Sequence, residues 1–600
     1  MKNIDTLPTS RRPKGRLLGS VAFSAAWGRV LGMVLLTLSA VPSYAGSRQF
    51  LDGGGPTTPV AKFAKDLTKH TDSNGLVTVI VQFRQMPNTS SLGNFQKRGA
   101  AIRTKLHTIR AVTMRIPASM LPVLANDPNV VYVSPDRQLK LTSSNEEYAT
   151  AVEADVAAAQ FGFDGTGVGV AVIDSGVADH PDLHDASGNS RVVYSQSFVP
   201  GNTSAVDQYG HGTHVAGLVG GTGVSSGTGN GYTDKFAGMA PNVNIINLRV
   251  LDQNGSGTDA QVIAAIQQAI ALKNTYNIRV ISMSLGRPVF ESYTLDPVDQ
   301  AVEAAWKAGI VVVVAAGNNG RDNSMGTHGW ATIGVPANDP AVITVGATRT
   351  KNTATRVDDA IASYSSRGPT LVDHVAKPDL VAPGNRMVSL RLAGSRLDTN
   401  YPSFVVAPNN GSVPKYFRLS GTSMATPLVS GAVALLLQQN PALTPDQVKA
   451  RLLKTAWKGF GQFCSSLDDW GNSYNNQYDL FTYGAGYLDV NAALNDTNLA
   501  NGIALSPTAV RNPLTGTVTL ANTVAPGFLG TSVVWGSTSV VWGTSVVWGA
   551  NTVSATSVVW GSTSVVWGAT SDLGYSVVWG ATSITAQPMA AFSDGDDGED

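Results

Sequence analysis

The chain has 600 residues, 43% of them hydrophobic, which allows several domains and is too apolar for a chain that stays unfolded. Its formal net charge is +0, so no basic excess points to nucleic acid as a partner. The single cysteine, Cys464, excludes an intrachain disulfide, and nothing beside it suggests an activated thiol rather than a buried structural one.

Taken in chain order, Arg11, Arg12, Lys14, Arg16 and Arg29 precede the apolar run 30–40, and "VPSYAG" then places the small residues Ser43 and Ala45 at cleavage-site spacing. This layout predicts a secretory signal peptide over 1–45, cut after Ala45, and an extracytoplasmic protein. The apolar run is short for a membrane span. Residues 46–147 read as a small α+β unit: strands over 76–83, 111–117 and 130–136, helical spacing over 91–109, and a short helix over 118–128. A polar linker is expected over 137–150.

Over 148–497 the pattern alternates. Continuous apolar strands are expected at 168–174, 243–251, 279–286 and 310–317, with helices at 211–220, 259–273 and 297–308. Val/Ile-rich strands joined by helical crossovers imply an α/β fold, a mainly parallel sheet covered by helices on both faces. An apolar helix follows over 424–439, and "TPDQ" at 444–447 is a capping box that opens another. Over 498–600 the pentapeptide SVVWG recurs six times, with tryptophans at 535, 542, 548, 560, 567 and 579, before the acidic end "SDGDDGED". Such a low-charge repeat reads either as a removable tail or as a β-rich adhesive segment.

Ligand sites in open α/β sheets gather at the carboxyl ends of strands. "VAVIDSGV" puts Asp174 at such an end and "VVVAAGNNG" puts Asn318 at another. "GHGTHVAG" opens a helix with His211, and "GTSMATP" opens one with Ser423. Each has an ordinary alternative. Asp174 and Asn318 could be turn residues, His211 could be a packing residue with His214 as a second candidate, and Ser423 could be an N-cap. Together they offer an acid, a base, an amide donor and a nucleophile, the set needed for acyl transfer.

These blocks resemble the signatures of the subtilisin-like serine peptidases, in the order Asp…His…Ser; the α/β-hydrolase order and its G-x-S-x-G elbow are both absent at Ser423. The resemblance covers about 150–497 and closes on "YGAGYLDVNAAL" (483–494). It implies a serine endopeptidase that acts on protein or peptide substrates without a catalytic cofactor. Ser423 would be the nucleophile, His211 the general base, Asp174 its orienting acid and Asn318 an oxyanion donor. It also implies that Ser284, Leu285 and Gly286, and on the other side Gly255, Ser256 and Gly257, border the substrate. Residues 46–147 would be an inhibitory prodomain, removed by self-cleavage within 137–150. Leu428 stands where the family usually has histidine, a change expected to alter packing alone. The stretch from Pro383 to Ser420 is long and is expected to form a hairpin beside the site. Structural calcium is usual in the family; the Asn/Asp/Gly-rich loops near 185–208 and 221–235 could supply oxygens or be plain turns. A binding or adhesion protein on the same scaffold, its function carried by the tail, is the competing class; an intact triad argues against it.

Overall fold

The computed structural model describes residues 62–521 except 65–66, 68–70, 73–74, 140–147, 352, 354, 462, 469–472 and 512–517, together with the pair 596–597. The expected signal segment and the SVVWG repeats lie outside the described residues.

The first unit contains β1 (Leu76–Phe83), α1 (Thr89–Lys97), β2 (Ala101–Leu106), β3 (Ala111–Pro117), α2 (Leu121–Asn126), β4 (Val130–Pro135) and β5 (Gln138–Leu139). Four of its strands form an antiparallel sheet in the order β2-β3-β1-β4. Alternation splits the strands between two cores. Val79, Val81, Val112, Met114 and Ile116 pack with Leu92 and Phe95 of α1. Ile80, Leu106 and Ala111 join the core of the following domain instead. The helical spacing over 91–109 is only half realised. Gly99 takes φ +96°, the helix has already stopped at Lys97, and the remainder of that stretch becomes β2 and a one-turn 3₁₀ segment. The predicted linker begins as β5.

The larger domain follows with α3 (Ala154–Phe161), β6 (Gly169–Asp174), β7 (Val192–Ser197), α4 (His211–Gly220), β8 (Asn244–Arg249), β9 (Gly257–Thr258), α5 (Asp259–Leu272), β10 (Ile278–Met283), α6 (Pro297–Lys307), β11 (Val311–Ala315), β12 (Ile343–Arg349), β13 (Ala360–Ile361) and β14 (Leu380–Pro383). It continues with β15 (Met387–Leu390), α7 (Arg396–Asn400), β16 (Val405–Val406), β17 (Tyr416–Leu419), α8 (Thr422–Gln439) and α9 (Pro445–Thr455). The main sheet runs β13-β12-β11-β10-β6-β8-β7, with β14 also beside β12; every pair is parallel except β12–β13. Helix α8 is buried on all sides from Thr422 to Leu437, Leu428 included, which explains its lack of a polar face. It packs on α4 and on β10, β11 and β12, while α5 and α6 pair with each other in the second helical layer. This is the α/β architecture expected from the strand pattern.

The long stretch after Pro383 forms a three-stranded antiparallel sheet, β15-β17-β16, rather than a simple hairpin, and β15 rests on α4. Beyond residue 497, Ser506 donates its hydroxyl to Asp379 at 2.6 Å and accepts from Lys449 at 2.9 Å, which ties this segment to the body. Cys464 lies on a strand, Phe463–Asp468, paired with Ser473–Gln477.

Candidate active site

Asp174 is the last residue of β6, and its carboxylate faces the first residue of α4. His211 Nδ1 lies 2.9 Å from Asp174 Oδ1 and 3.0 Å from Oδ2. A carboxylate oxygen accepts, so Nδ1 carries a proton, and in the neutral ring this tautomer leaves the lone pair on Nε2. Nε2 is buried and has no hydrogen-bond partner among the described residues. A neutral imidazole held in this tautomer is a base waiting for a proton.

The start of α4 is fixed by a residue that the sequence reading passed over. Asp207 is buried and accepts from the backbone N–H groups of Tyr209, Gly210 and Thr213 and from the hydroxyls of Ser175 and Thr213. Burial raises its carboxyl above the ordinary range, and the hydrogen bonds act against that rise. Ser175 also accepts from Gly212 N–H at 2.9 Å, and its own N–H donates to Asp174 Oδ1 at 2.7 Å. One buried carboxylate thereby fixes both ends of the Asp174–His211 pair. Gly212 is glycine for room: a Cβ there would collide with the Gly176 carbonyl. His214, the second histidine of the motif, donates Nε2–H to the carbonyls of Met387 and Phe417, both at 3.2 Å. Burial, with His211 nearby, pushes it down to about 3, so it is a neutral packing residue that anchors β15 and β17.

Ser423 is not an N-cap. Gly421 holds that position, and Ser423 is the second residue of α8. Its N–H is therefore one of the first-turn amides without an i−4 partner, at the positive end of the helix dipole. Its hydroxyl donates to the Ser284 carbonyl at 3.1 Å, and the Ser284 hydroxyl donates back to the Ser423 carbonyl at 2.8 Å. The second bond exists because Pro427, four residues on, has no N–H to offer that carbonyl.

Asn318 follows β11. Its Oδ1 accepts from Thr422 N–H at 2.9 Å and from Thr422 Oγ1 at 3.1 Å. Thr422 Oγ1 in turn accepts from Gly317 N–H at 3.1 Å. With its oxygen engaged by Thr422, the amide presents its NH₂ as the donor side. Thr422 was legible only as a small residue of "GTS"; its role depends on a partner 104 residues away.

Ser284, Leu285 and Gly286 lie just past β10, with Ser284 and Leu285 buried. Gly255 turns with φ +71°, and Gly257 opens β9. This β9 segment is occupied: Gln138 pairs antiparallel with Thr258, and Leu139 with Gly257. Among the described residues no group of three or more His, Cys, Asp or Glu is placed to hold a metal. In the 185–208 loop the Asp185 carboxylate accepts from Ser187 and Asn189 N–H, closing its own turn.

The profile of the subtilase family matches residues 165–486. The serine protease AprX of Bacillus subtilis (strain 168) is 38% identical over 372 residues, covering 60% of this chain and 78% of AprX. Subtilisin E of the same strain is 32% identical over 420 residues, covering 69% of this chain and 89% of that protein. Subtilisin DY of Bacillus licheniformis is 36% identical over 344 residues, covering 57% and 96%. The chain therefore belongs to the subtilase family and is a serine endopeptidase.

Proposed function

We propose that this endopeptidase is exported, made as a zymogen, and works through Asp174, His211 and Ser423. The observation that carries the reading is the placement of His211: Nδ1 faces both oxygens of Asp174, while Nε2 has no hydrogen-bond partner among the described residues. In the resting state the Ser423 hydroxyl donates to the Ser284 carbonyl. A substrate N–H that pairs with that carbonyl would displace the hydroxyl and leave it to His211. His211 Nε2 then takes the Ser423 proton as Oγ bonds to the scissile carbonyl carbon, and the carbonyl oxygen becomes an oxyanion. The Asn318 NH₂ and the Ser423 N–H would donate to it. Collapse breaks the C–N bond, His211 returns the proton to the leaving amine, and water repeats the sequence on the acyl-enzyme.

Residues 46–147 act as the inhibitory prodomain in this reading. The pairing of Gln138–Leu139 with β9 supports it, because the chain's own strand then occupies a substrate-binding edge. Self-cleavage is proposed within 137–150. Export rests on the signal layout of 1–45. The part of 498–600 beyond residue 521 is proposed to be removable, since Ser506 holds the start of that segment to the body; retention of the full chain on cell envelopes, but not of a chain ending at 521, would assign it to attachment.

A sulfonyl fluoride tests the nucleophile. Mass spectrometry of the processed protein should find a single sulfonyl group on Ser423. Full inactivation with the label on another residue would reject the assignment.

A further inference from the structure

Arg137 immediately precedes β5, and its side chain is buried against the peptidase domain. Its guanidinium forms a bidentate pair with Glu291, Nη1 to Oε1 at 2.7 Å and Nη2 to Oε2 at 2.6 Å. Asp259 and Asp296 stand 3.8 and 3.9 Å from Nη1. The Phe290 ring lies against the guanidinium, with its centroid 5.2 Å away. Among the described residues the domain supplies Arg287 as a cation of its own to this group. Arg287 is held by Asp259 at 2.9 and 3.0 Å and by Asp296 at 2.6 Å. Among the described residues Arg287 is thus held by Asp259 and Asp296, and Glu291 takes its bidentate partner from Arg137.

The route by which it arrives identifies the pocket. The Arg137 carbonyl accepts from Asp259 N–H at 2.9 Å, and the next two residues continue as the strand paired with Gly257–Thr258. An extended chain added to a sheet edge gains affinity from its backbone and specificity from side-chain pockets along that edge. The pocket here is a planar fork-to-fork site with an aromatic wall, which suits guanidinium better than ammonium.

We propose that Asp259, Glu291, Asp296 and Phe290 form an arginine-reading subsite. Arg137 fills it in the zymogen. After the prodomain leaves, it takes an arginine side chain from an extended peptide substrate bound along Gly257–Thr258. The proposal rests on the peptidase reading above.

The test uses the full chain, allowed to process itself and shown to cleave casein. Internally quenched peptides carry X-Gln-Leu followed by four randomised residues, with X as Arg, Lys, norleucine or Glu. A charge-assisted bidentate contact predicts that Arg exceeds norleucine by roughly 10- to 100-fold in kcat/KM, with Lys between them and Glu lowest. Moving Arg by one residue should abolish the preference, since neighbouring side chains of a strand face opposite ways, and this control needs no mutation. Glu291→Gln should bring the Arg-to-norleucine ratio towards one. Equal turnover of the Arg and norleucine peptides, or a preference that ignores register, overturns the subsite. Failure of Ser423→Ala to abolish cleavage would instead overturn the peptidase reading on which it rests.

Discussion

Ser284 and Ser423 exchange two hydrogen bonds, each hydroxyl donating to the other residue's carbonyl, at 2.8 and 3.1 Å. The exchange joins the end of β10 to the first turn of α8, so the strand expected beside the substrate also holds the helix that carries the proposed nucleophile. Ser284→Ala would leave the buried Ser423 carbonyl without its partner. A stability loss of about 1–3 kcal/mol is expected, together with a fall in kcat greater than any rise in KM. Thermal unfolding and steady-state kinetics on the same preparation check this. A lower Tm with unchanged kcat would reduce Ser284 to a structural role.

Asn318 and Thr422 form the second lock. In a subtilisin the loss of one such amide donor costs roughly 10²–10³ in turnover, and the same range is expected for Asn318→Ala here, with KM little changed. Thr422→Val removes the hydroxyl that bonds Asn318 and Gly317 but keeps the Thr422 N–H, so its fall in kcat should be smaller. A Thr422→Val loss equal to that of Asn318→Ala would mean that the hydroxyl alone aims the amide.

If residues 46–147 are the proposed prodomain, their junction with the peptidase domain should respond to pH. Asp136 accepts from Ala260 N–H at 2.8 Å, at the first turn of α5. Burial, followed by the nearby Asp259, raises it from 3.8 to about 7; the Ala260 and Thr258 hydrogen bonds and Arg103 act the other way. A carboxyl raised on docking takes up a proton when it docks. Its contribution is therefore complete below about pH 4 and is lost as pH rises through 7. Size-exclusion chromatography of the cleaved complex should show the prodomain retained at pH 5.5 and shed more readily at pH 8. Asp136→Asn should flatten the difference; an unaltered pH response would place the switch elsewhere.

Asp207 organises the site without entering it. Asp207→Ala would leave five buried donors unmatched, and a loss of at least about 3 kcal/mol is expected. Chemical denaturation measures it, and a loss below about 1 kcal/mol would show that the loop before α4 finds other partners.

Some of this architecture was legible because it is local. Apolar runs mark β6, β8, β10 and β11, and α4 spans the residues its motif suggested. Asp174 and His211 were visible as strand-end and helix-start residues, and the fold brings them into contact. What escaped depends on distance along the chain or on backbone geometry. Ser175 meets Asp207 from 32 residues away, and Ser284 meets Ser423 from 139. The β2 strand was hidden because its apolar spacing continues that of α1, which stops at Lys97 ahead of the positive φ of Gly99. The N-cap alternative for Ser423 fails by two residues: Gly421, with no side chain to cap with, is the N-cap, and α8 begins at Thr422.

The central claim is that Ser423 performs the chemistry, on substrates and on the chain itself. The most direct measurement compares the full chain with its Ser423→Ala variant, following casein hydrolysis and the N-terminal sequence of every fragment. The wild type should hydrolyse casein and release a fragment ending within 137–150, while Ser423→Ala stays uncut and inactive with an unchanged fold. Hydrolysis or processing by Ser423→Ala at the wild-type rate would contradict the account.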